Sequence, residues 1–260
     1  MIKESRRGKG RQLLLLHGLG ASQRSWDLVL PRLTASRSVI AIDLPGHGAS
    51  PVEPGSGTFA GLTDAVERFI RAQGLSGIDI VGSSLGARLA LELARRSGVG
   101  TVVALDPGGF WTAPWERPFF RTTLSASVGL LRIIRPMLPG ICRTAAGRTA
   151  LLAQLSARPW ALDPELVADE LALIAATPTI DDLIHDLSTC PAQEGPAAKD
   201  SGPVIIGWGR DDRLCLPHQA QRAMSAFPSA RLHWFANCGH FPMWDQPEET
   251  AALILEATGG

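Results

Sequence analysis

The five residues Gly82-Ser83-Ser84-Leu85-Gly86 constrain this chain more than any other segment. They follow an apolar run, Ile78-Asp79-Ile80-Val81, and open a helical one, Ala87-Arg88-Leu89-Ala90-Leu91-Glu92-Leu93-Ala94. A buried strand joined so abruptly to a helix needs a very tight turn. Gly82 and Gly86 carry no Cβ, so strand and helix can close on each other there. Ser84 then sits on strained backbone with its hydroxyl projecting above the sheet edge. The helix N-terminus beneath it favours negative charge. On its own, a Gly/Ser string of this length is also an ordinary strand-to-helix turn. Its meaning depends on the partners that the rest of the chain supplies.

Short apolar runs alternate with longer helical patterns on both sides of that turn. Strands are expected at Gln12–Leu16, Ser38–Ile42, Ile78–Val81, Thr101–Leu105, Pro203–Trp208 and Arg231–Phe235. Helices are expected at Ser25–Leu33, Thr58–Gln73, Leu85–Arg96, Pro217–Phe227 and Pro247–Ala257. In Thr58–Gln73, Leu62, Ala65, Val66, Phe69 and Ile70 fall on one face. Strands without polar alternation suit a parallel sheet covered on both faces. The pattern predicts an α/β fold with a doubly wound, mostly parallel sheet and right-handed crossovers.

The rhythm breaks between about Phe110 and Asp200. Thr122–Arg135 has Leu124, Val128, Leu131 and Ile134 near helical spacing and stops at Pro136. Asp163-Pro164 is a good N-cap and first-turn pair for a helix to Ala176. Another short helix is expected from Thr179, and no strand is evident. The reading is an inserted helical cap over 111–200, on a core formed by 1–110 and 201–260. Core helices on the same sheet are the competing explanation.

A chain of 260 residues that is 45% hydrophobic can build a large core. With 25 basic and 25 acidic residues its formal charge is zero, so no nucleic-acid-binding face is announced. Cys142, Cys190, Cys215 and Cys238 are widely spaced and show no zinc-ligand pattern. A chain of this size needs no disulfide staples. Leu13–Leu16 is far too short for a signal segment or a membrane span, and the cytoplasm is the expected compartment. Neither a dinucleotide fingerprint nor a phosphate loop is present, so no cofactor and no metal are expected.

A serine at neutral pH is a weak nucleophile and needs a base within hydrogen-bond reach. Of six histidines, His240 is best placed, in Asn237-Cys238-Gly239-His240-Phe241-Pro242 just beyond the last strand. That puts it at the same sheet edge as Ser84, where ligands bind in open α/β folds. His185, in the cap segment, could line a pocket. The imidazole must be held in one tautomer by an acid. Asp211, Asp212 and Asp106 all follow strands, and each could equally cap a turn. An oxyanion needs two N–H donors, and removing one typically costs ~3–4 kcal/mol of barrier. Leu85 N–H, at the helix start, is one. The loop His17-Gly18-Leu19-Gly20, directly after a strand, is the natural source of the other.

Five segments in order resemble the α/β-hydrolase fold superfamily. They are His17-Gly18-Leu19-Gly20, Asp43-Leu44-Pro45-Gly46-His47-Gly48-Ala49-Ser50, Gly82-Ser83-Ser84-Leu85-Gly86, Gly209-Arg210-Asp211-Asp212 and Gly239-His240. The resemblance covers roughly 12–110 and 203–258, and the chain order Ser…Asp…His fits it. It implies Ser84 as nucleophile, His240 as base and then acid, and Asp212 as the acid that orients it. Leu19 and Leu85 would donate the oxyanion-hole N–H groups. His17 and His47 would support loops, and Asp43 would cap one. Members commonly begin with extra antiparallel strands. Only about eleven residues precede the first readable strand here, so those strands are expected to be absent or reduced. Asp245 stands where Glu is usual and should still help hold the His240 loop.

The resemblance implies acyl transfer to water through an acyl-enzyme. Carboxylic esters are the first expectation; thioesters, lactones, diketone-like acids, other acyl acceptors and peroxide are the alternatives. A small-molecule receptor with vestigial chemistry is the rival of another class. The cap holds Phe110, Trp111, Trp115, Phe119, Phe120 and Trp160, which would suit an apolar small-molecule acyl substrate. The same aromatics could simply pack the cap onto the sheet.

Overall fold

The structure is a computed structural model and describes every residue except Ser97 and Gly260. Seven strands form one sheet: β1 (Lys3–Arg7), β2 (Arg11–Leu16), β3 (Arg37–Asp43), β4 (Asp79–Ser83), β5 (Val102–Leu105), β6 (Val204–Gly209) and β7 (Arg231–Phe235). Their spatial order is β1-β3-β2-β4-β5-β6-β7. All neighbours pair in parallel except β1, which runs antiparallel to β3.

The leucine run explains why the strands lack polar alternation. Leu14 and Leu16 belong to one hydrophobic cluster and Leu13 and Leu15 to another. Successive side chains point to opposite faces, and both faces are covered. Helices α1 (Leu30–Leu33), α2 (Phe59–Ala72) and α3 (Leu85–Arg96) accompany the first half of the sheet. Between β5 and β6 come α4 (Glu116–Ile134), α5 (Leu138–Cys142), α6 (Ala145–Leu152), α7 (Pro164–Ala176) and α8 (Ile180–Thr189). The last are α9 (Gln219–Ala226), α10 (Pro242–Asp245) and α11 (Pro247–Thr258). Helices α2, α3 and α9 bury leucine and alanine faces in one cluster, and α1 and α11 in the other. The fold is α/β, doubly wound and mostly parallel.

Three elements differ from the expectation. The first eleven residues do contain a strand, β1. Four of its five residues are exposed, so no apolar periodicity announces it. Its backbone ladder with β3 holds it in place, helped by Lys3 N–H donating to Ser50 Oγ at 2.8 Å. The expected helix Ser25–Leu33 is instead a 3-10 turn, Gln23–Trp26, followed by α1. Pro31 sits in the first turn of α1, where its missing N–H is harmless, and it cannot continue a helix from upstream. Helix α4 starts six residues before Thr122, because Pro118 likewise falls in a first turn.

No strand lies between β5 and β6 among the described residues. Within this helical segment, α4 packs against α7 and α8. Glu116–Cys142 is long and apolar enough by composition to cross a membrane, an 18-residue stretch of it reaching a mean hydropathy of 1.2. In the sequence, Arg117, Arg121, Arg132 and Arg135 interrupt it and mask that length. Its Phe120, Val128, Leu131 and Leu138 are buried, whereas Leu130, Ile133 and Met137 are exposed.

Candidate active site

Strand β4 delivers Ser84 at its C-terminal end, on backbone with φ of 54°. The turn closes only because it is flanked by glycine. A Cβ on Gly82 would lie 2.1 Å from Gly86 O, and one on Gly86 would lie 2.1 Å from Leu16 O. Loops after β6 and β7 bring in the other two groups. His240 Nε2 lies 2.8 Å from Ser84 Oγ. His240 Nδ1 lies 2.8 Å from Asp212 Oδ2. With Nδ1 protonated, the ring donates to the carboxylate and leaves Nε2 free to accept the serine proton. Asp212 is itself held: its Oδ1 accepts the N–H groups of Leu214 and Cys215 at 2.8 and 3.0 Å. Asp212 and His240 are 3% and 1% exposed, so water does not compete for these bonds.

The competing acids go elsewhere. Asp211 is exposed. Asp106 is fully buried and accepts Gly209 N–H through Oδ1 at 2.8 Å, which ties the end of β5 to β6. Its Oδ2 has no donor. Burial, and then the nearby Asp212 charge, push its carboxyl well above the usual range. Asp212, by contrast, has two N–H donors and the His240 imidazole on its carboxylate.

The two residues expected to donate to an oxyanion border one cavity. Gly18 lies against Ser84: a Cβ there would sit 3.4 Å from Ser84 Cβ. Leu19 and Leu85 both border the cavity above Ser84. Neither N–H is bonded to another described residue. His17 fixes the loop that carries Leu19. Its Nδ1 meets Gly18 O at 2.7 Å and its Nε2 accepts Leu44 N–H at 2.9 Å. Burial holds it neutral. His47, beside it at 5.3 Å between ring centroids, is pushed down to about 3, chiefly by burial. Both histidines support loops, as expected. Asp43 accepts Gln23 N–H and Ala49 N–H, capping the loop that follows β3.

Asp245 holds the His240 loop. Its Oδ2 accepts Gly239 N–H at 2.7 Å and Ala157 N–H at 2.8 Å, and its Oδ1 accepts the Ser156 hydroxyl. The shorter carboxylate therefore reaches both its own loop and the helical segment, a connection the sequence did not reveal. His240 N–H donates to Leu155 O at 2.9 Å, reinforcing it.

The cavity above Ser84 has a volume of about 70 Å³. Its walls are mostly aliphatic. Leu124, Val128, Ile174, Ile180 and Ile184 come from the helical segment, with Trp111 and Phe120 as its aromatics. The other expected aromatics are elsewhere. Phe110 packs on Phe227 in the core, while Trp115 and Trp160 are 53% and 54% exposed. Phe119 meets Trp115 edge to face. His185 is exposed and does not line the cavity. All four cysteines are free thiols. The ligand atoms of Asp212, Cys215 and His240 lie within 4.8 Å of one another, close enough for a metal ion. Both His240 nitrogens are already engaged, and burial pushes the Cys215 thiol well up, so this donor set fits a metal poorly.

A model of the alpha/beta hydrolase family matches residues 13–253. The chain belongs to that family. A 2-hydroxy-6-oxononadienedioate/2-hydroxy-6-oxononatrienedioate hydrolase from Pseudomonas putida is 27% identical, over 96% of this chain and 88% of its own. Among solved structures, a thermophilic esterase from Thermogutta terrifontis superposes with a TM-score of 0.76 at 21% identity, covering 98% of this chain and 92% of its own. An enol-lactonase from Burkholderia xenovorans LB400 also reaches 0.76, at 16% identity, over 100% and 96%. The two structures share the fold with this chain, at identities too low to transfer a substrate.

Proposed function

We propose that this α/β hydrolase is a serine hydrolase that cleaves a carboxylic ester or related acyl compound through an acyl-enzyme. The observation that carries the reading is the unbroken chain Ser84 Oγ–His240–Asp212, with 2.8 Å at each link, beneath an apolar cavity. As Ser84 Oγ bonds to the substrate carbonyl carbon, its proton passes to His240 Nε2. The carbonyl electrons move onto oxygen, which the Leu19 and Leu85 N–H groups stabilise. Asp212 stays ionised and balances the imidazolium. Collapse of the intermediate breaks the bond to the leaving group, which takes the His240 proton. A water then repeats the sequence on the acyl-enzyme and frees Ser84. Residues 111–200 act as a cap that excludes bulk water and shapes an apolar acyl site.

One comparison favours a second reading on the same residues. The Pseudomonas putida relative is named for an oxo-diacid, which contains no ester, so its hydrolysis must break a carbon–carbon bond. Ser84 attack on a ketone, with a carbanion leaving group protonated by His240, would use the same machinery. Rates on 4-nitrophenyl esters, lactones and vinylogous 1,5-diketo acids separate the two. Ser84→Ala should lower hydrolysis by about 10⁶ on whichever class is turned over. Near-wild-type activity in that variant would end both readings.

A further inference from the structure

The cavity above Ser84 contains an unanswered positive charge. Arg88 lies one helical turn after Ser84, and its N–H donates to Ser84 O at 3.0 Å. Its side chain is only 2% exposed, yet it borders the same apolar cavity. Nη2 donates to Pro191 O at 2.7 Å and contacts Cys190 Sγ at 3.4 Å. Nε is buried with no partner. No carboxylate lies within 4.0 Å of the guanidinium among the described residues. Asp186, the nearest to influence it, is bonded to Phe59 N–H. The other buried arginines are better supplied: Arg37 pairs with Asp79 at 2.6 Å, and Arg148 Nε, Nη1 and Nη2 all donate to backbone carbonyls.

A buried cation without a counter-ion is costly. The fold keeps Arg88 in place all the same. Gly109, with φ of 94°, lets the backbone lie flat on it, since a Cβ there would sit 2.6 Å from Arg88 Nε. The Phe59 ring covers the guanidinium, 4.2 Å from its centroid to Cζ. A second donor borders the same cavity. Trp111 Nε1–H is buried and also has no partner. Two unsatisfied donors, one of them charged, in walls that are mostly apolar call for an acceptor that arrives with the ligand.

We propose that Arg88 and Trp111 form an anion subsite within the acyl pocket, and that the preferred substrate carries a carboxylate on its acyl chain. The proposal deepens the serine-hydrolase reading and rests on it for the position of the scissile bond. The carboxylate would neutralise Arg88 and accept the Trp111 N–H. The aliphatic walls would hold the methylenes between it and the carbonyl at Ser84. The subsite gives a reason for a buried arginine one turn after Ser84.

The test is a ratio. Wild type and variants are assayed on mono-4-nitrophenyl esters of succinate, glutarate and adipate, and on the methyl 4-nitrophenyl diesters of the same acids. Wild type should prefer the anionic member of the best pair by about tenfold or more in kcat/KM, the scale of one charge-assisted hydrogen bond. Arg88→Gln should bring that ratio close to one. Trp111→Phe, which keeps the ring and removes the N–H, should lower it a few fold. A ratio of one or below in wild type, or a ratio unmoved in both variants, overturns the subsite and leaves the serine-hydrolase reading standing. If no ester is turned over, that reading fails separately. Calorimetry with glutarate and adipate then decides the subsite: binding to wild type that Arg88→Gln abolishes supports it, and no binding overturns it.

Discussion

Three non-glycine residues among those described have positive φ: Ser84, Asp106 and Asn237. Each lies within two residues of the C-terminal end of a strand, β4, β5 or β7. Strain is therefore concentrated at the sheet edge where the functional groups meet. The same edge separates two aspartates by environment. Asp212→Asn should lower kcat on a nitrophenyl ester by about 10⁴, because the amide favours the wrong imidazole tautomer. Asp106→Asn should lower it by less than about tenfold, since an amide oxygen still accepts the Gly209 N–H and burial already disfavours the charged carboxylate. If Asp106→Asn proves the crippling change, the acid has been assigned to the wrong strand. At this scale much was legible. Ser84 and His240 stood out because each follows an apolar strand beside a glycine, whereas Asp212 was separated from Asp211 and Asp106 only by the family resemblance. Arg88 was not legible, because an arginine in a helix gives no sign of whether it faces water or a cavity.

The elements owe their fit to a few glycines and a few caps. Gly86→Ala would drive a Cβ into the carbonyls of Leu16 and His17, at 2.1 and 2.6 Å. These are backbone atoms at the end of a central strand and cannot yield. The expected loss is more than ~3 kcal/mol, in the tail of single substitutions. Gly129 sits inside α4, and a methyl group added there would meet nothing within 4 Å. There, alanine should raise stability by about 0.5–1 kcal/mol. Urea titrations of both variants check the pair, and a Gly86→Ala protein as stable as wild type would contradict the elbow geometry. Strands β2 to β7 and the helices on them were legible from apolar runs and periodicity. Strand β1 was not, because an exposed edge strand is specified by its ladder rather than by its side chains. The break at Pro31 needed the actual cap geometry to resolve.

The whole molecule depends on how the helical segment meets the sheet domain. Part of that contact is Glu170 of α7, which is 1% exposed and accepts the hydroxyls of Ser22 and Ser25 at 3.1 and 2.7 Å. Burial raises its carboxyl from 4.5 to about 7. The native state thus holds this proton more tightly than the unfolded chain does. Its stabilising contribution is complete below pH 4.5 and is lost as pH rises through 7, a loss of ~3 kcal/mol. Glu170→Gln should flatten that slope and raise stability at pH 8, as read by thermal unfolding across pH 4 to 8. An unchanged slope would mean that Glu170 is hydrated. That the segment between β5 and β6 is helical was legible from the long interval without a strand. Its inner lining was not, because helical periodicity does not say which of two apolar faces meets the sheet. Hence the expected aromatics, Trp115 and Trp160, turn outward, and aliphatic residues line the cavity.

The central claim is that Ser84 is an activated nucleophile. The most direct measurement is intact mass and peptide mapping after brief treatment with a fluorophosphonate at pH 7. The geometry predicts a single adduct on Ser84, absent in Ser84→Ala and formed far more slowly in His240→Gln. No adduct on the wild-type protein, or an adduct on another residue at a rate indifferent to His240, would contradict it.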